Sequence, residues 1–273
     1  MRNTWKEVGL GFMNLLVLVM AIAAVQPLLK RNMPGLAGAL IMALLCLFVY
    51  TAASKWIERR TPLELEPGRA LPEAGLGFVL GLLLFTVVMA VLWMVRVYHP
   101  GAAGWSAQVG EGLLSAVVAG VLEEILFRGL LFRLLAKILG TWRALLVTAA
   151  LFGFVHAYNP GATLGSSVAI ALEAGILLGA AYAATTRLWL PIGLHIGWNF
   201  TEGGIFGMSV SGHASGGLLG GTLTGPTVLT GGQFGPEASI VAVLVCLALA
   251  LYFIRRTVKR GLVQPPVWGL PRR

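Results

Sequence analysis

The sequence predicts an all-α, polytopic bundle of about eight transmembrane helices, and three observations carry that expectation. Of 273 residues, 57% are hydrophobic and only 11% charged, with a mean hydropathy of +0.84, which lies outside the range of soluble globular domains. Apolar runs near 20 residues recur, each long enough to cross roughly 30 Å of hydrocarbon. Lys and Arg gather at the ends of those runs, where membrane topology signals sit. The net charge of +9 therefore forms no basic face on a soluble domain. Membrane lipid is the expected environment and nucleic acid is excluded as a partner.

The chain reads as one transmembrane domain over 1–273, with spans at about 8–29, 35–56, 74–95, 111–128, 143–158, 165–185, 190–206 and 238–254. The N-terminal spans occupy 8–95, and a basic tail follows the C-terminal span 238–254. Arg2 and Lys6 precede the first run, and Ala21-Ile22-Ala23 resembles a signal-peptidase site. The run is long for a signal peptide and Lys30-Arg31 follows it, so an uncleaved span is expected. Cys46 and Cys246 fall inside apolar runs without metal or disulfide spacing and read as packing residues. Asp is absent from the chain, which removes any mechanism built on paired intramembrane aspartates.

Charge distribution sets the expected orientation. With a cytoplasmic N-terminus, 16 of the 20 Lys and Arg residues fall on the inside, from Arg2 and Lys6 through Lys55, Arg133 and Arg187 to the tail ending at Arg273. Lys30, Arg31 and Arg96 fall outside, and Arg128 lies within a span. This bias predicts an integral membrane protein with both termini in the cytoplasm. Two stretches depart from the span pattern. In 129–142, Arg133 and Lys137 stand opposite leucines at i,i+4, as in an amphipathic helix on the inner surface. Residues 203–237 hold 12 glycines and no Lys or Arg, which predicts an outer loop able to dip back into the bundle where protein shields its backbone.

Three spans carry polar groups that hydrocarbon penalises by roughly 3 kcal/mol or more each. The fourth has Glu123-Glu124-x-x-x-Arg128, the fifth Phe152-x-x-x-His156, and the seventh His195-x-x-x-Asn199. Residues i and i+4 share a helix face, so Arg128 lies beside Glu124 and the two can neutralise one another. Glu123 is turned about 100° away and is free to face another helix as a general base or acid. His195 and Asn199 share a face and can donate to an oxygen gaining charge, while His156 can join Glu123 in holding a water. A base, a positioned water and an oxyanion site are the parts for hydrolysing an amide without a Ser or Cys nucleophile.

Each part also has a plainer reading. Glu124–Arg128 can be a structural pair, and the histidines and Asn199 can be interhelical hydrogen-bonders. His99 and His213 lie in loops. Glu173 sits mid-span with no evident partner, and Glu202 and Glu237 read as helix-end charges beside the glycine-rich loop. One geometric difficulty stands out: at 1.5 Å per residue, His156 lies about 20 Å into its span and His195 under about 10 Å. Straight, level helices would not bring them together.

At these residues the chain resembles the CPBP family, the CAAX prenyl endopeptidases and their bacterial Abi-type relatives, marked by E-E-x-x-x-R, F-x-x-x-H and H-x-x-x-N on successive membrane helices. The resemblance runs from about 111 to 205, and "NFTEGGIFGMSVSG" with "GGQFGPEAS" extends it to about 240. It implies a glutamate-dependent intramembrane endopeptidase without a cofactor. Glu123 and His156 would activate water, His195 and Asn199 would form the oxyanion site, and Glu124, Arg128 and Phe152 would support them. The implied partner is a CAAX-type peptide or another membrane-associated peptide or protein. Two alternatives compete: a zinc protease using His156, His195 and Glu123 as ligands, although H-E-x-x-H is missing, and a non-enzymatic transport or scaffold protein of the same ancestry. The charge bias makes one checkable statement. Reporter fusions at Arg273 and near Gly216 are expected to place the first in the cytoplasm and the second outside; a periplasmic C-terminus would overturn the assigned topology.

Overall fold

A computed structural model describes residues 2–33 and 35–269; Arg272 and Arg273 of the basic tail lie outside the described residues, as do the side chains of Arg2 and Lys30. The chain is a helical bundle. Helices α1 (Arg2–Asn32), α2 (Leu36–Trp56) and α3 (Ala70–Met94) come first. A short strand β1 (Tyr98–Ala103) leads to α4 (Ala107–Glu124), which runs on without a break through wide π-type turns at Ile125–Phe132 into α5 (Arg133–Leu139). Helix α6 (Thr141–His156) follows, then α7 (Leu164–Ile170), a second wide turn at Ala171–Gly175 and α8 (Ile176–Thr185). Helix α9 (Trp189–Asn199) ends in a third wide turn at Phe200–Ile205. Strand β2 (Leu219–Leu223), the single turn α10 (Thr227–Thr230) and α11 (Ile240–Lys259) complete the order.

Five segments are long and apolar enough to cross a membrane: Thr4–Leu29, Ala37–Trp56, Pro67–Met94, Leu164–Thr185 and Ile240–Lys259. The other three expected spans, 111–128, 143–158 and 190–206, coincide with α4 and its extension, with α6, and with α9 and its extension. These are the elements that carry the polar motifs. Their charges and shorter apolar runs are tolerable because neighbouring helices cover them. The outer helices present apolar residues outward, such as Leu83, Leu244 and Leu251, where lipid can meet them.

Close backbone approach fixes α3 against α9. Gly77 and Gly81 on α3 face Gly193 and Gly197 on α9, a small-xxx-small stripe on each helix. A Cβ added at Gly193 would stand 2.0 Å from the Ala74 carbonyl oxygen, and one at Gly197 2.2 Å from that of Phe78. Reciprocally, a Cβ at Gly77 would meet the Leu190 carbonyl oxygen at 2.3 Å and one at Gly81 that of Leu194 at 2.2 Å. Phe85 then closes edge-on against Trp198 at 5.0 Å between ring centres. Because His195 and Asn199 ride on α9, this contact sets their position.

One end of the bundle gathers the charges assigned to the inside. Glu58, just beyond α2, accepts from Arg133 Nη2 at 2.7 and 3.0 Å and from Asn14 at 2.6 Å. Burial pushes its carboxyl up, but Arg133 and the hydrogen bonds from Arg60 and Asn14 outweigh that and hold it below its ordinary value. Arg187 grips Glu73 through Nε at 2.7 and 2.9 Å, and Lys137 reaches Glu7 at 2.6 Å. At the other end, β1 and β2 pair antiparallel, Tyr98 opposite Leu223 and Pro100 opposite Gly221, so the connections 96–106 and 203–237 meet on one side of the bundle.

Three expectations change. Residues 129–142 do not start a separate surface helix: they prolong α4, and Arg133 turns inward to Glu58 and to the Gly129 carbonyl at 2.7 Å. The glycine-rich stretch is not loop alone, since it contributes β2, a helical turn and a buried Phe234. Helix α6 is unbroken from Thr141 to His156, so its histidine meets that of α9 because the helices are offset or inclined relative to one another. The glycine stripe makes a testable statement about stability. Gly197→Ala drives a methyl into backbone and is expected to cost about 1–3 kcal/mol. Gly75→Ala, on the same face-pairing helix α3 but with nothing within 4 Å of the new carbon, is expected to be neutral or to stabilise by up to about 1 kcal/mol. Thermal unfolding in detergent would separate them, and equal midpoints would refute the contact.

Candidate active site

Arg128 is the buried centre on which the three motifs meet. It is 2% exposed, and its Nη1 donates to Glu124 Oε1 at 2.6 Å. Nη2 donates to the carbonyl oxygens of Ala174 and Gly175 at 3.1 and 3.2 Å. These carbonyls belong to the wide turn Ala171–Gly175, where the regular i→i−4 ladder is interrupted, so a side-chain donor serves them. The guanidinium carbon also lies 4.8 Å from the centre of the Phe152 ring, a cation–π contact.

Phe152 packs on everything around it. Its ring stands 4.6 Å from that of His156, 6.3 Å from that of His195 and 4.8 Å from that of Phe127. The F-x-x-x-H spacing has a second effect, because His156 Nδ1 lies 2.7 Å from the Phe152 carbonyl oxygen, one helical turn back. A proton on Nδ1 donated to that carbonyl leaves Nε2 pointing away from its own helix. Nε2 is 3.9 Å from Glu123 Oε2, beyond direct hydrogen-bond length.

The two adjacent glutamates have different surroundings. Glu124 is wholly buried, and besides Arg128 its Oε1 meets His195 Nδ1 at 3.0 Å. Glu123 is a quarter exposed at its side chain; Oε2 of each glutamate is buried without a hydrogen-bond partner. Glu123 faces an open cavity of about 750 Å³ that His156, Asn159, Asn199 and Ser211 also line. Asn199 belongs as well to a small inner cavity of about 20 Å³, shared with His156, His195, Glu173 and Glu237. That volume suits roughly one water molecule among polar walls.

All seven motif residues are thus brought together: Glu123, His156 and Asn199 on the open cavity, His195 on the inner one, and Glu124, Arg128 and Phe152 between them. Glu123 and His156 are near each other without touching. The bond from His195 to Glu124 ties the first motif to the third and was not foreseen from spacing. Among the described residues, no three His, Cys, Asp or Glu side chains are arranged to hold a metal ion.

Further residues surround the site. Glu202 and Glu237 are not solvent-facing helix-end charges: they are 0% and 2% exposed, because the segment 203–237 folds back over the bundle. The Ser211 amide donates to Glu237 Oε1 at 2.5 Å, and the Glu237 amide lies 3.3 Å from Glu202 Oε1. Asn159, three residues beyond His156, donates to the Ser211 carbonyl at 3.0 Å, pinning the loop beside the cavity. Glu173, the unexplained mid-span carboxylate, lines the inner cavity next to Cys246. The only sequence signal for these residues was their cost in an apolar setting, which marked Glu173 and could have marked the other two.

Residues 105–201 match the family model described as Type II CAAX prenyl endopeptidase Rce1-like. The chain is also 32% identical over 87 residues to a Bacillus subtilis (strain 168) protein named "Putative membrane peptidase YdiL". That alignment covers 32% of this chain and 33% of the relative, so the chain spans about a third of the length of the curated relative it matches. No solved structure matches. The segment 105–201, which holds all seven motif residues, is thus the part of the chain that is similar to the CAAX prenyl endopeptidases.

The buried ion pair can be tested by itself. Arg128→Ala removes the cation from Glu124 and the donor from two carbonyls, and is expected to cost about 3–5 kcal/mol. Folded yield and melting temperature in detergent should both fall; an unchanged midpoint would show that the pair carries little of the fold.

Proposed function

We propose that this chain, a relative of the CAAX prenyl endopeptidases over its central segment, is an integral membrane endopeptidase in which Glu123 activates water to hydrolyse a peptide bond without a metal. One observation carries the reading. Of two adjacent glutamates, Glu124 is wholly buried and bound through Oε1 to Arg128 and His195, while the Glu123 side chain is a quarter exposed, lines the open cavity and lies 3.9 Å from His156 Nε2.

A water placed between Glu123 Oε2 and His156 Nε2 would hydrogen-bond both across a gap too wide for direct contact. Glu123 takes its proton as the oxygen attacks the peptide carbonyl, and later delivers that proton to the departing amine. The carbonyl oxygen gains negative charge in between. Asn199, on both cavities, can donate to it through Nδ2. His195 joins as a donor when doubly protonated, since its Nδ1–H is engaged by Glu124 and only the imidazolium also carries a proton on Nε2. Phe152 excludes water from the Arg128–Glu124 pair and holds both imidazoles in place.

The open cavity of about 750 Å³ lies within the range of sites that take peptide-sized ligands. A segment of a membrane-anchored or prenylated peptide, the class that the family description names, is the proposed substrate. The proposed setting is a bacterial plasma membrane with both termini in the cytoplasm.

Glu123→Gln keeps size and hydrogen bonding but removes the base. It is expected to fold with a near-normal melting temperature while turnover of a membrane peptide substrate falls by about 10⁴-fold. Asn199→Ala should lose less, about 10²–10³-fold. Strong chelators should leave activity intact. Substantial cleavage by Glu123→Gln, or activity that vanishes with chelator and returns with added zinc, would overturn the mechanism.

A further inference from the structure

A second large pocket, of about 730 Å³, opens away from the active site between α3 and α11. Its mouth is basic. Arg69 stands at the start of α3, Arg256 and Arg260 at the end of α11, and Arg187 in the turn between α8 and α9. Among the described residues Glu73 is the only carboxylate lining it, and Glu73 is already engaged by Arg187, with Nη2 at 2.5 Å. The remaining three arginines have no ion-pair partner among the described residues. Arg256 donates to Tyr252 at 3.1 Å, while its Nε is buried with no partner. Arg260 reaches the Ala184 carbonyl only at 3.5 Å. A buried guanidinium donor without an acceptor implies a missing acceptor.

Below the arginines the walls turn apolar. Leu76 and Leu80 on α3 face Leu249 and Phe253 on α11. The two helices enter the bundle from the same end, α3 by its start and α11 by its finish. From Arg69 to Leu80 and from Arg260 to Leu249 the separation is eleven residues in each case, about 16 Å at the helical rise. Both walls therefore reach equal depth, about half of the roughly 30 Å hydrocarbon layer. A net-positive rim above an apolar shaft one leaflet deep has the dimensions and charge of a single anionic lipid. Arginine pairs bind phosphate through paired N–H donors, and basic pockets between membrane helices take acidic headgroups.

We propose that this pocket binds one anionic phospholipid, its phosphate against Arg256 and Arg260 and an acyl chain along Leu76, Leu80, Leu249 and Phe253. The site is independent of the catalytic reading, because none of its residues belongs to the motif set.

Native mass spectrometry of the detergent-purified chain, titrated with phosphatidylglycerol or phosphatidylcholine, tests it together with thermal midpoints. One retained phosphatidylglycerol per chain and a raised midpoint are expected, with phosphatidylcholine much weaker. Arg256→Gln should weaken retention about fivefold and Arg256→Gln with Arg260→Gln about 30-fold, from the contribution of each basic side chain to headgroup binding. The Lys versions keep the charge and should retain most binding, which separates loss of the site from misfolding. Arg255→Gln, exposed on the same helix but outside the pocket, should change retention less than twofold. Equal retention of the two lipids, or equal loss with Arg255→Gln, would refute a specific site. Stabilisation by millimolar inorganic phosphate alone would make it a free-anion site, and a lipid-free dimer would make the groove a subunit contact; either overturns the lipid assignment.

Discussion

A buried cation organises this bundle. Arg128 is 2% exposed in a chain whose surroundings are hydrocarbon, and a lone charge there would be prohibitively costly. It is stable because Glu124 from its own helix, the carbonyls of Ala174 and Gly175 and the face of Phe152 converge on it. Those groups come from three different elements, so satisfying one guanidinium requires α4, α6 and the α7–α8 hairpin to pack in one arrangement. His195 then attaches α9 to the same carboxylate. The site is assembled as a consequence of neutralising the charge.

The wide helical turns are part of that solution. They occur at Ile125–Phe132, Ala171–Gly175 and Phe200–Ile205, each beside motif or buried acidic residues. Loosened turns expose carbonyls that a regular helix would use internally. Arg128 takes two of them, and Arg133 takes that of Gly129. Inside a membrane, where water cannot substitute, such turns persist where another donor is at hand, at the third turn the backbone amide of Leu218 on the Gly204 carbonyl. The arginine and the irregular backbone therefore stabilise each other.

Packing gives the neighbouring glutamates different surroundings. Glu123 and Glu124 are one residue apart, yet one faces a cavity and the other is sealed among Arg128 and His195. On a helix, adjacent residues differ by about 100° in direction, so a single covalent step separates a cavity-facing environment from a sealed one. The rigid glycine contact between α3 and α9 keeps that separation by denying α9 the freedom to slide.

The residues themselves determined a good deal. Hydropathy and run length dictated a helical membrane bundle, and charge placement grouped Arg133, Lys137 and Arg187 at one end, where the structure pairs them with Glu58, Glu7 and Glu73. Helical periodicity alone put Arg128 beside Glu124 and turned Glu123 elsewhere, because i,i+4 geometry is local and survives any tertiary arrangement. Only the tertiary structure decided what lies across from each face. His195 bonding Glu124, Arg128 reaching Ala174 and Gly175, and Glu202 and Glu237 sealed beneath a folded-back loop join residues 26 to 71 positions apart. The α6–α9 offset and the β1–β2 ribbon belong to the same class. Such contacts depend on how whole helices tilt and how closely glycines let them approach, and no periodicity within one helix encodes the depth at which its neighbour sits.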